Sequence, residues 1–264
     1  MEGVDLVLAG IASGHLPQLV FVQAERSEEL AAQLLSGARS APGTALPAVF
    51  PVTARVARRI TTMETPPDVM AVFARPARPD FAALLWPGAG SLVVYADGIA
   101  DPGNMGTLLR AAVGFGATAL ATSPGATDVF APKTVRASMG AVFGLPLLPD
   151  QPLGELLEEL QLARVYGLAA HEGTPLGDAE LRRPAALIVG AERSGLSAEA
   201  RSRVTEILTI PMTAGVAESL NAGVAGAIAL YEFSRRPAGV CDHQSSRSAA
   251  AAKGYDGRRR AADP

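Results

Sequence analysis

Two hydrophobic patterns alternate along the first part of this chain. Short apolar runs are typical of buried strands, whereas apolar residues at helical spacing predict amphipathic helices. Over residues 1–75 the first pattern predicts strands at Leu19–Val22, Ala48–Val52 and Val69–Phe73. The second predicts helices at Val4–Leu16, Glu28–Leu35 and Thr53–Ile60. This alternation indicates a small α/β unit.

The same alternation continues on a larger scale from residue 91 onward. The predicted strands are Leu92–Ala96, Ala117–Thr122, Arg164–Ala169, Ala185–Val189 and Ile207–Ile210. The predicted helices are Met105–Phe115, Lys133–Phe143, Leu153–Leu162 and Glu218–Arg235. Strands that alternate with helices favour a mostly parallel sheet covered on both faces. In such sheets ligands bind beyond the carboxyl ends of the strands.

Two segments break these patterns and suggest domain limits. Arg75–Gly90 is rich in proline and holds the only tryptophan, Trp86, so we predict an interdomain linker. Pro237–Pro264 combines an alanine run with polar residues and has few core-forming side chains, which predicts a disordered tail. The expected organisation is a small α/β unit at 1–75, a linker at 76–90, a larger α/β unit at 91–236 and a tail at 237–264.

Composition narrows the class of protein. The chain has 264 residues, of which 48% are hydrophobic and 19% charged, and no apolar run has the length of a membrane span. The start of the chain lacks the pattern of a signal peptide, so a cytoplasmic location is expected. The single cysteine and three isolated histidines predict neither a disulfide nor a metal site. A net charge of −3 predicts no strong nonspecific binding to nucleic acid.

Three segments of the larger unit share one local plan, in which a strand runs into a Gly-, Pro- or Asn-rich turn and a helix follows. They are Asp101–Arg110, Leu187–Leu196 and Ile210–Asn221. Such turns leave backbone N–H and C=O groups free for a ligand. We therefore predict a pocket built largely from main chain, with five polar side chains nearest to it: Asn104, Arg110, Glu192, Ser219 and Asn221.

Each of these side chains also has a simpler explanation. Asn104 could cap the helix predicted from Met105, and Arg110 could lie on that helix's exposed face. Glu192 could form a surface ion pair with Arg193. Ser219 and Asn221 could act only as N-terminal caps of the last helix. The turn at Gly103–Gly106 has neither the lysine of a P-loop nor a complete G-x-G-x-x-G, so it is not a phosphate loop.

Taken together, the three segments resemble the motifs of the SpoU (TrmH-like) branch of the SPOUT RNA methyltransferases. Asp101–Arg110 resembles the first motif, Leu187–Leu196 the second and Ile210–Asn221 the third. Ala137–Gly140 also matches a stretch that the family carries between the first two. The start of the chain and Glu64–Val69 are similar to the family's N-terminal substrate-binding domain, which resembles ribosomal protein L30e.

The resemblance implies an α/β SPOUT fold with a parallel sheet and a deep trefoil knot, a homodimer, and S-adenosylmethionine as cofactor. It implies RNA ribose 2′-O-methylation, with ribosomal RNA as the expected acceptor and transfer RNA as another. The residues it implies for catalysis are Arg110, Asn104, Glu192, Ser219 and Asn221. Those it implies for the cofactor are Leu120, Thr122, Gly190, Ile210, Met212, Ser219 and Leu220. The basic helix adds three expected RNA-binding residues, Arg55, Arg58 and Arg59.

Two other functions stay open at this point. One is a SPOUT enzyme that acts on a small molecule, which the acidic pI would suit. The other is a catalytically weak protein that binds RNA or a ribosome-assembly intermediate. The last helix leaves a second question open, because Gly223 and Gly226 could serve close packing either across a dimer or within one chain.

Overall fold

The structure is a computed structural model that describes residues 1–38, 48–84, 90–162, 164–213 and 219–236. Its helices in these ranges are α1 (Val4–Ala12), α2 (Ser27–Ala38), α3 (Ala54–Ile60), α4 (Phe81–Leu84), α5 (Pro102–Gly114), α6 (Pro132–Ser138), α7 (Leu153–Leu160), α8 (Ala198–Arg203) and α9 (Ala222–Arg235). Its strands are β1 (Pro17–Gln23), β2 (Ala48–Val52), β3 (Val69–Phe73), β4 (Leu92–Asp97), β5 (Ala119–Thr122), β6 (Leu147–Leu148), β7 (Val165–Leu168), β8 (Thr174–Pro175), β9 (Ala185–Gly190) and β10 (Glu206–Thr209).

The N-terminal unit contains a three-stranded sheet in the order β2-β1-β3. Strand β1 pairs in parallel with β2 and antiparallel with β3. One face of this sheet packs on α1 and α2 through a small core that includes Val7, Val20, Leu30 and Val69. The predicted strands and helices of this unit are therefore confirmed, with shifts of a few residues at their ends.

The larger unit contains a seven-stranded sheet in the order β6-β5-β4-β9-β7-β10-β8, and all of its strand pairs are parallel. Every residue of β4 is buried, as expected for a strand covered on both faces. Leu92 and Val94 face the core shared with α5, α6 and α9, whereas Val93 and Tyr95 face the core shared with α4, α7 and α8. The predicted parallel sheet is confirmed.

Several elements differ from the sequence-based predictions. The helix expected over Lys133–Phe143 is broken, because α6 ends at Ser138 and Met139 and Gly140 both have positive φ angles, of 50° and 87°. A Cβ atom on Gly140 would lie 2.5 Å from the Cβ of Ala9, so the break lets α1 approach closely. Strands β6 and β8 and helix α8 were not predicted.

The expected linker also contains ordered structure. Phe81–Leu84 forms α4, and Leu84 is buried in the core beside α7. Trp86 and the predicted tail 237–264 lie outside the described residues. Residues 214–218, which precede the last helix, also lie outside the described residues. The trefoil knot therefore stays a prediction.

The two units meet at a half-buried ion pair. Arg136 of α6 binds the Glu2 carboxylate and donates to Thr62 Oγ1 at 2.9 Å. Burial alone would raise the pKa of the Glu2 carboxyl, but hydrogen bonds from Thr62 and Thr61 and the charge of Arg136 outweigh it and lower that pKa. Rings of Phe73 and Phe143 also meet across the junction, with centroids 5.2 Å apart. The N-terminal unit is therefore held against α6, which in turn packs on α5.

Candidate active site

A cleft of about 790 Å³, which we call the motif cleft, opens at the carboxyl ends of β7, β9 and β10. Its walls come from the second and third motif segments and from the turn after β7. The lining residues are Leu168–Glu172, Val189–Leu196, Arg201, Ile210, Met212, Ser219, Leu220, Ala222 and Ala225. Its position agrees with the expectation for ligand sites in parallel sheets.

The turn after β9 is fixed by its own backbone. Ala191 and Gly195 exchange two backbone hydrogen bonds, of 3.1 and 2.9 Å, and Gly195 has a φ of 66°. A Cβ atom on Gly190 would lie 2.3 Å from the carbonyl carbon of Gly195, so only glycine fits there. The buried Asp97 at the end of β4 accepts the Ser197 N–H at 2.7 Å. This turn is therefore tied to the neighbouring strand.

The first motif segment begins with a different cap from the one expected. Helix α5 starts at Pro102, and the Asp101 carboxylate accepts the Asn104 N–H at 2.8 Å. Asp101 is therefore the N-cap, and the interpretation of Asn104 as the cap was wrong. The Asn104 side chain is buried and donates through Nδ2 to Glu192 Oε1 of the second segment.

The third motif segment joins the same network. Asn221 caps α9 by accepting the Val224 N–H at 3.1 Å, and its Nδ2 donates to Asn104 Oδ1. The last helix therefore begins at Ala222 rather than at Glu218 as expected. A chain of side-chain hydrogen bonds, Glu192–Asn104–Asn221, thus connects all three segments at the edge of the motif cleft.

The structure brings most of the predicted site residues together. Six of them line the motif cleft, namely Gly190, Glu192, Ile210, Met212, Ser219 and Leu220. Asn104 is connected to the cleft by its hydrogen bond to Glu192, and Asn221 is connected to it by its hydrogen bond to Asn104. Glu192 bonds to Asn104, so its contacts differ from the ion pair with Arg193 that we considered.

Two residues predicted to contact the cofactor lie elsewhere. Leu120 and Thr122 belong to β5, which is separated from β9 by β4. The Leu120 side chain is fully buried in the core, and Thr122 Oγ1 accepts the Asp150 N–H at 3.2 Å. Neither residue lines the motif cleft.

The predicted basic residues are exposed. Arg110 lies on the solvent face of α5 outside the cleft, and it forms no ion pair with another described residue. Arg55, Arg58 and Arg59 are all exposed on α3 in the N-terminal unit. Within one chain, therefore, the structure does not bring Arg110 or the α3 arginines to the motif cleft.

Some residues of this region were not predicted from the sequence. His171 lines the motif cleft, and Glu172 beside it pairs with Arg201 of α8. Both follow β7, so the rule of strand carboxyl ends could have indicated them. Asp97 directly follows a buried apolar run, which is the same kind of signal. Among the described residues, no cluster of His, Cys, Asp and Glu could hold a metal ion.

A parallel sheet whose strand-end turns are joined by hydrogen-bonded side chains around a cleft of about 790 Å³ defines a ligand-binding α/β protein. The comparisons with known proteins then specify the family. The chain belongs to the SpoU rRNA Methylase family, whose model matches residues 91–231.

The chain is also similar to individual characterised proteins. It is 34% identical over 188 residues to the 23S rRNA (uridine(2479)-2'-O)-methyltransferase of Streptomyces viridochromogenes, covering 66% of this chain and 62% of that enzyme. It is 34% identical over 176 residues to the 23S rRNA (guanosine(2553)-2'-O)-methyltransferase RlmP of Bacillus subtilis, covering 66% of this chain and 67% of that enzyme.

A solved structure extends the likeness to most of the fold. The SpoU methyltransferase AviRb from Streptomyces viridochromogenes, in complex with the cofactor AdoMet, matches with a TM-score of 0.74 and 27% identity. The match covers 89% of this chain and 88% of that chain. It therefore includes the N-terminal unit as well as the larger one.

Proposed function

We propose that this protein transfers a methyl group from S-adenosylmethionine to a ribose 2′-hydroxyl of RNA, with ribosomal RNA as the acceptor. The observation that carries the proposal is the Glu192–Asn104–Asn221 hydrogen-bond chain, which unites the three motif segments at the motif cleft. Family membership and the named activities of the relatives support it. An acceptor of this kind would place the protein in the cytoplasm.

The residues of the motif cleft fit the proposed cofactor. Ile210 and Met212 supply apolar surface for a flat adenine ring, and the main chain around Gly190 and Leu220 supplies polar groups. The cleft is lined by two carboxylates and two guanidinium groups, and because Glu172 pairs with Arg201, Glu192 is the carboxylate that suits a cationic ligand. A volume of about 790 Å³ lies within the usual range for sites of this class, roughly 300–1,000 Å³. When bound, S-adenosylmethionine would supply the methyl group and its own leaving group.

The protein's remaining task is to orient the acceptor hydroxyl and stabilise its oxygen. We assign the second role to Arg110, whose guanidinium is a planar cation with five N–H donors. A guanidinium near the 2′-oxygen or the adjacent phosphate would stabilise the negative charge that develops on that oxygen. Asn104 and Glu192, locked by their mutual hydrogen bond, would hold the ribose in position.

The N-terminal unit is proposed to hold the RNA. Arg55, Arg58 and Arg59 form an exposed basic group on a chain whose net charge is −3, so positive charge is concentrated locally. Arginine guanidinium groups suit phosphate recognition. This assignment agrees with the expected L30e-like character of the unit.

A homodimer is proposed because one face of α5 and α9 is apolar and uncovered. Val224, Ile228 and Tyr231 recur at helical spacing on α9 and are 42%, 37% and 49% exposed. Thr107 of α5 contacts this helix at Gly223, and Arg110 follows one turn later on the same face of α5. A second copy that covered these apolar residues would bring Arg110 toward the partner. This would account for the position of Arg110 away from the motif cleft of its own chain.

The glycines of α9 do not provide a test of this dimer. A Cβ atom on Gly226 would lie 2.5 Å from Leu108 Cδ1, and one on Gly223 would lie 2.8 Å from the Asn104 carbonyl oxygen. Packing within one chain therefore explains both glycines. A leucine at position 226 would disturb the fold itself, so a probe of the dimer must lie on the exposed face.

Ile228→Glu is expected to convert the dimer into a monomer. Each protomer would bury a carboxylate in an apolar contact without a partner, which is strongly unfavourable. Light scattering at micromolar concentration should give twice the 27.1 kDa chain mass for the unchanged protein and 27.1 kDa for the variant. Met63→Glu is the matched control, since Met63 is also 37% exposed but lies in the N-terminal unit. A monomeric unchanged protein, or a variant that stays dimeric, would contradict the proposal.

The proposed reaction is tested by mapping 2′-O-methyl groups in ribosomal and transfer RNA from cells with and without the protein. A single ribose in ribosomal RNA is expected to lose its methyl group when the protein is absent. In parallel, the purified protein should transfer label from S-adenosylmethionine to RNA. Transfer only to RNA-free extract would favour a small-molecule acceptor, and RNA binding without transfer would favour a role in ribosome assembly.

A further inference from the structure

A second cleft, of about 420 Å³, lies between the N-terminal unit and the larger unit. We call it the interdomain cleft. Phe21, Ile60 and Val72 line it from the N-terminal unit, and Phe130, Pro132 and Arg136 line it from the larger unit. It shares no lining residue with the motif cleft among the described residues.

The interdomain cleft continues an uncovered apolar face of the three-stranded sheet. The strand register places Phe50 and Met70 on either side of Phe21, and Leu19 opposite Val72. Phe50 and Val72 are 45% and 43% exposed, although the other face of the sheet is fully packed. A continuous apolar surface of this kind in a folded chain indicates a binding function.

Three exposed arginines occur in the cleft wall or next to it in the sequence. Arg58 and Arg59 directly precede Ile60, which forms part of the cleft wall. The Arg75 guanidinium stacks over the Phe130 ring at 5.1 Å and is 70% exposed. Its ion pair with Asp128, at 3.5 Å, is exposed on both sides and therefore weak, so a phosphate could replace the carboxylate. The cleft thus combines an aromatic and aliphatic interior with an exposed guanidinium in its wall.

This combination matches the chemistry of an unpaired nucleotide. A base taken out of a helix needs a flat apolar surface, and its phosphates need cationic donors. The volume of about 420 Å³ lies within the range of small-ligand sites, roughly 300–1,000 Å³. The exposed Arg75 guanidinium favours a ligand that carries phosphate.

We propose that the interdomain cleft binds an unpaired nucleotide of the RNA acceptor, with its base against Phe21, Ile60 and Val72. The flanking phosphates lie at the guanidinium groups of Arg58, Arg59 and Arg75. This inference rests on the proposed function as an RNA methyltransferase. It adds a second binding site, which lies between the N-terminal unit and α6 and is separate from the motif cleft.

The test compares Val72→Glu with Met63→Glu. Both residues lie in the N-terminal unit and are 43% and 37% exposed, but only Val72 lines the cleft. The probe is protein-free bacterial ribosomal RNA, measured by filter binding. Stacking of one base contributes roughly 1–3 kcal/mol, so Val72→Glu should weaken binding about 5- to 150-fold. Met63→Glu should stay within about 2-fold, and the affinity of both variants for S-adenosylmethionine should not change.

A second measurement does not depend on any substitution. Ribosomal RNA that contains 4-thiouridine should crosslink to the unchanged protein at peptides spanning residues 70–75 or 130–136 upon irradiation. Crosslinks confined to other peptides would overturn the proposal. Equal RNA affinity of Val72→Glu and the unchanged protein would also overturn it. The same holds if both variants lose RNA affinity equally, or if light scattering shows a changed mass for Val72→Glu.

The outcomes also separate this inference from the proposed function. If the unchanged protein methylates RNA and the Val72→Glu variant methylates it equally well, only the proposed nucleotide site is refuted. If the unchanged protein binds S-adenosylmethionine but methylates no RNA, the proposed function itself is refuted.

Discussion

Arg110→Ala is expected to lower methyl transfer to RNA by about 100- to 1000-fold, the usual loss when a group stabilising a reacting oxygen is removed. Arg110 is an exposed cation on α5 without an ion pair to another described residue, so its loss should not disturb folding. It does not line the motif cleft, and the affinity for S-adenosylmethionine should therefore stay within a few-fold. Single-turnover transfer of labelled methyl and calorimetry measure the two effects separately.

Two further variants sharpen this test. Arg110→Lys should also be inactive, because one ammonium group cannot reproduce the planar array of donors of a guanidinium. Arg182→Ala is the control for the loss of an exposed arginine, since Arg182 pairs with the exposed Glu180. Near-normal methylation by either Arg110 variant would remove this residue from the mechanism.

Gly190→Ala is expected to weaken S-adenosylmethionine binding at least about 5-fold, because excess volume at a packed position typically costs 1–3 kcal/mol. The added Cβ would lie 2.3 Å from the Gly195 carbonyl carbon and 2.6 Å from the Leu196 nitrogen. Both are backbone atoms, so the whole turn must move. That turn carries Glu192, and its displacement would also separate Glu192 from Asn104. Calorimetry measures the affinity, and thermal unfolding measures the accompanying loss of stability.

Gly177→Ala provides the matched control for this substitution. No atom lies within 4 Å of the Cβ that it would add, so it should change neither cofactor affinity nor unfolding temperature noticeably. If Gly190→Ala bound S-adenosylmethionine as tightly as the unchanged protein, the turn after β9 could not be part of the cofactor site.

Local patterns in the sequence predicted the motif cleft well but not its exact membership. The strand–turn–helix plan of the segments indicated Glu192, since a turn after a buried strand must lie at the sheet's edge, whereas Gly190 and Ile210 were implied by the family resemblance. Leu120 was also implied by the resemblance, and its strand has the same local pattern as β9. Only the strand order, with β4 between β5 and β9, places it away from the cleft, and pairing between distant strands is not encoded locally.

The helix limits show a second reason why prediction from the sequence fell short. Apolar spacing continues through Met139 and Gly140, so a single helix was predicted there. The break coincides with the close approach of Ala9 from the other unit, a tertiary contact that periodicity does not contain. The cap of α5, by contrast, has a local signal, because Asp101 followed by Pro102 is the usual order of the N-cap and the first helical residue.

The close fit of α9 against α5 restricts how this protein can change during evolution. Leu108 occupies the space that a side chain at position 226 would need, whereas a side chain at position 223 would meet the Asn104 carbonyl oxygen as well as Thr107. A larger residue at position 226 would be tolerated only if the residue at position 108 became smaller, but no substitution on α5 removes a backbone oxygen. In relatives of this chain, position 108 should therefore covary with position 226, while position 223 should stay glycine. A designer who wants to reshape the face of α5 next to Arg110 would have to alter both helices at once.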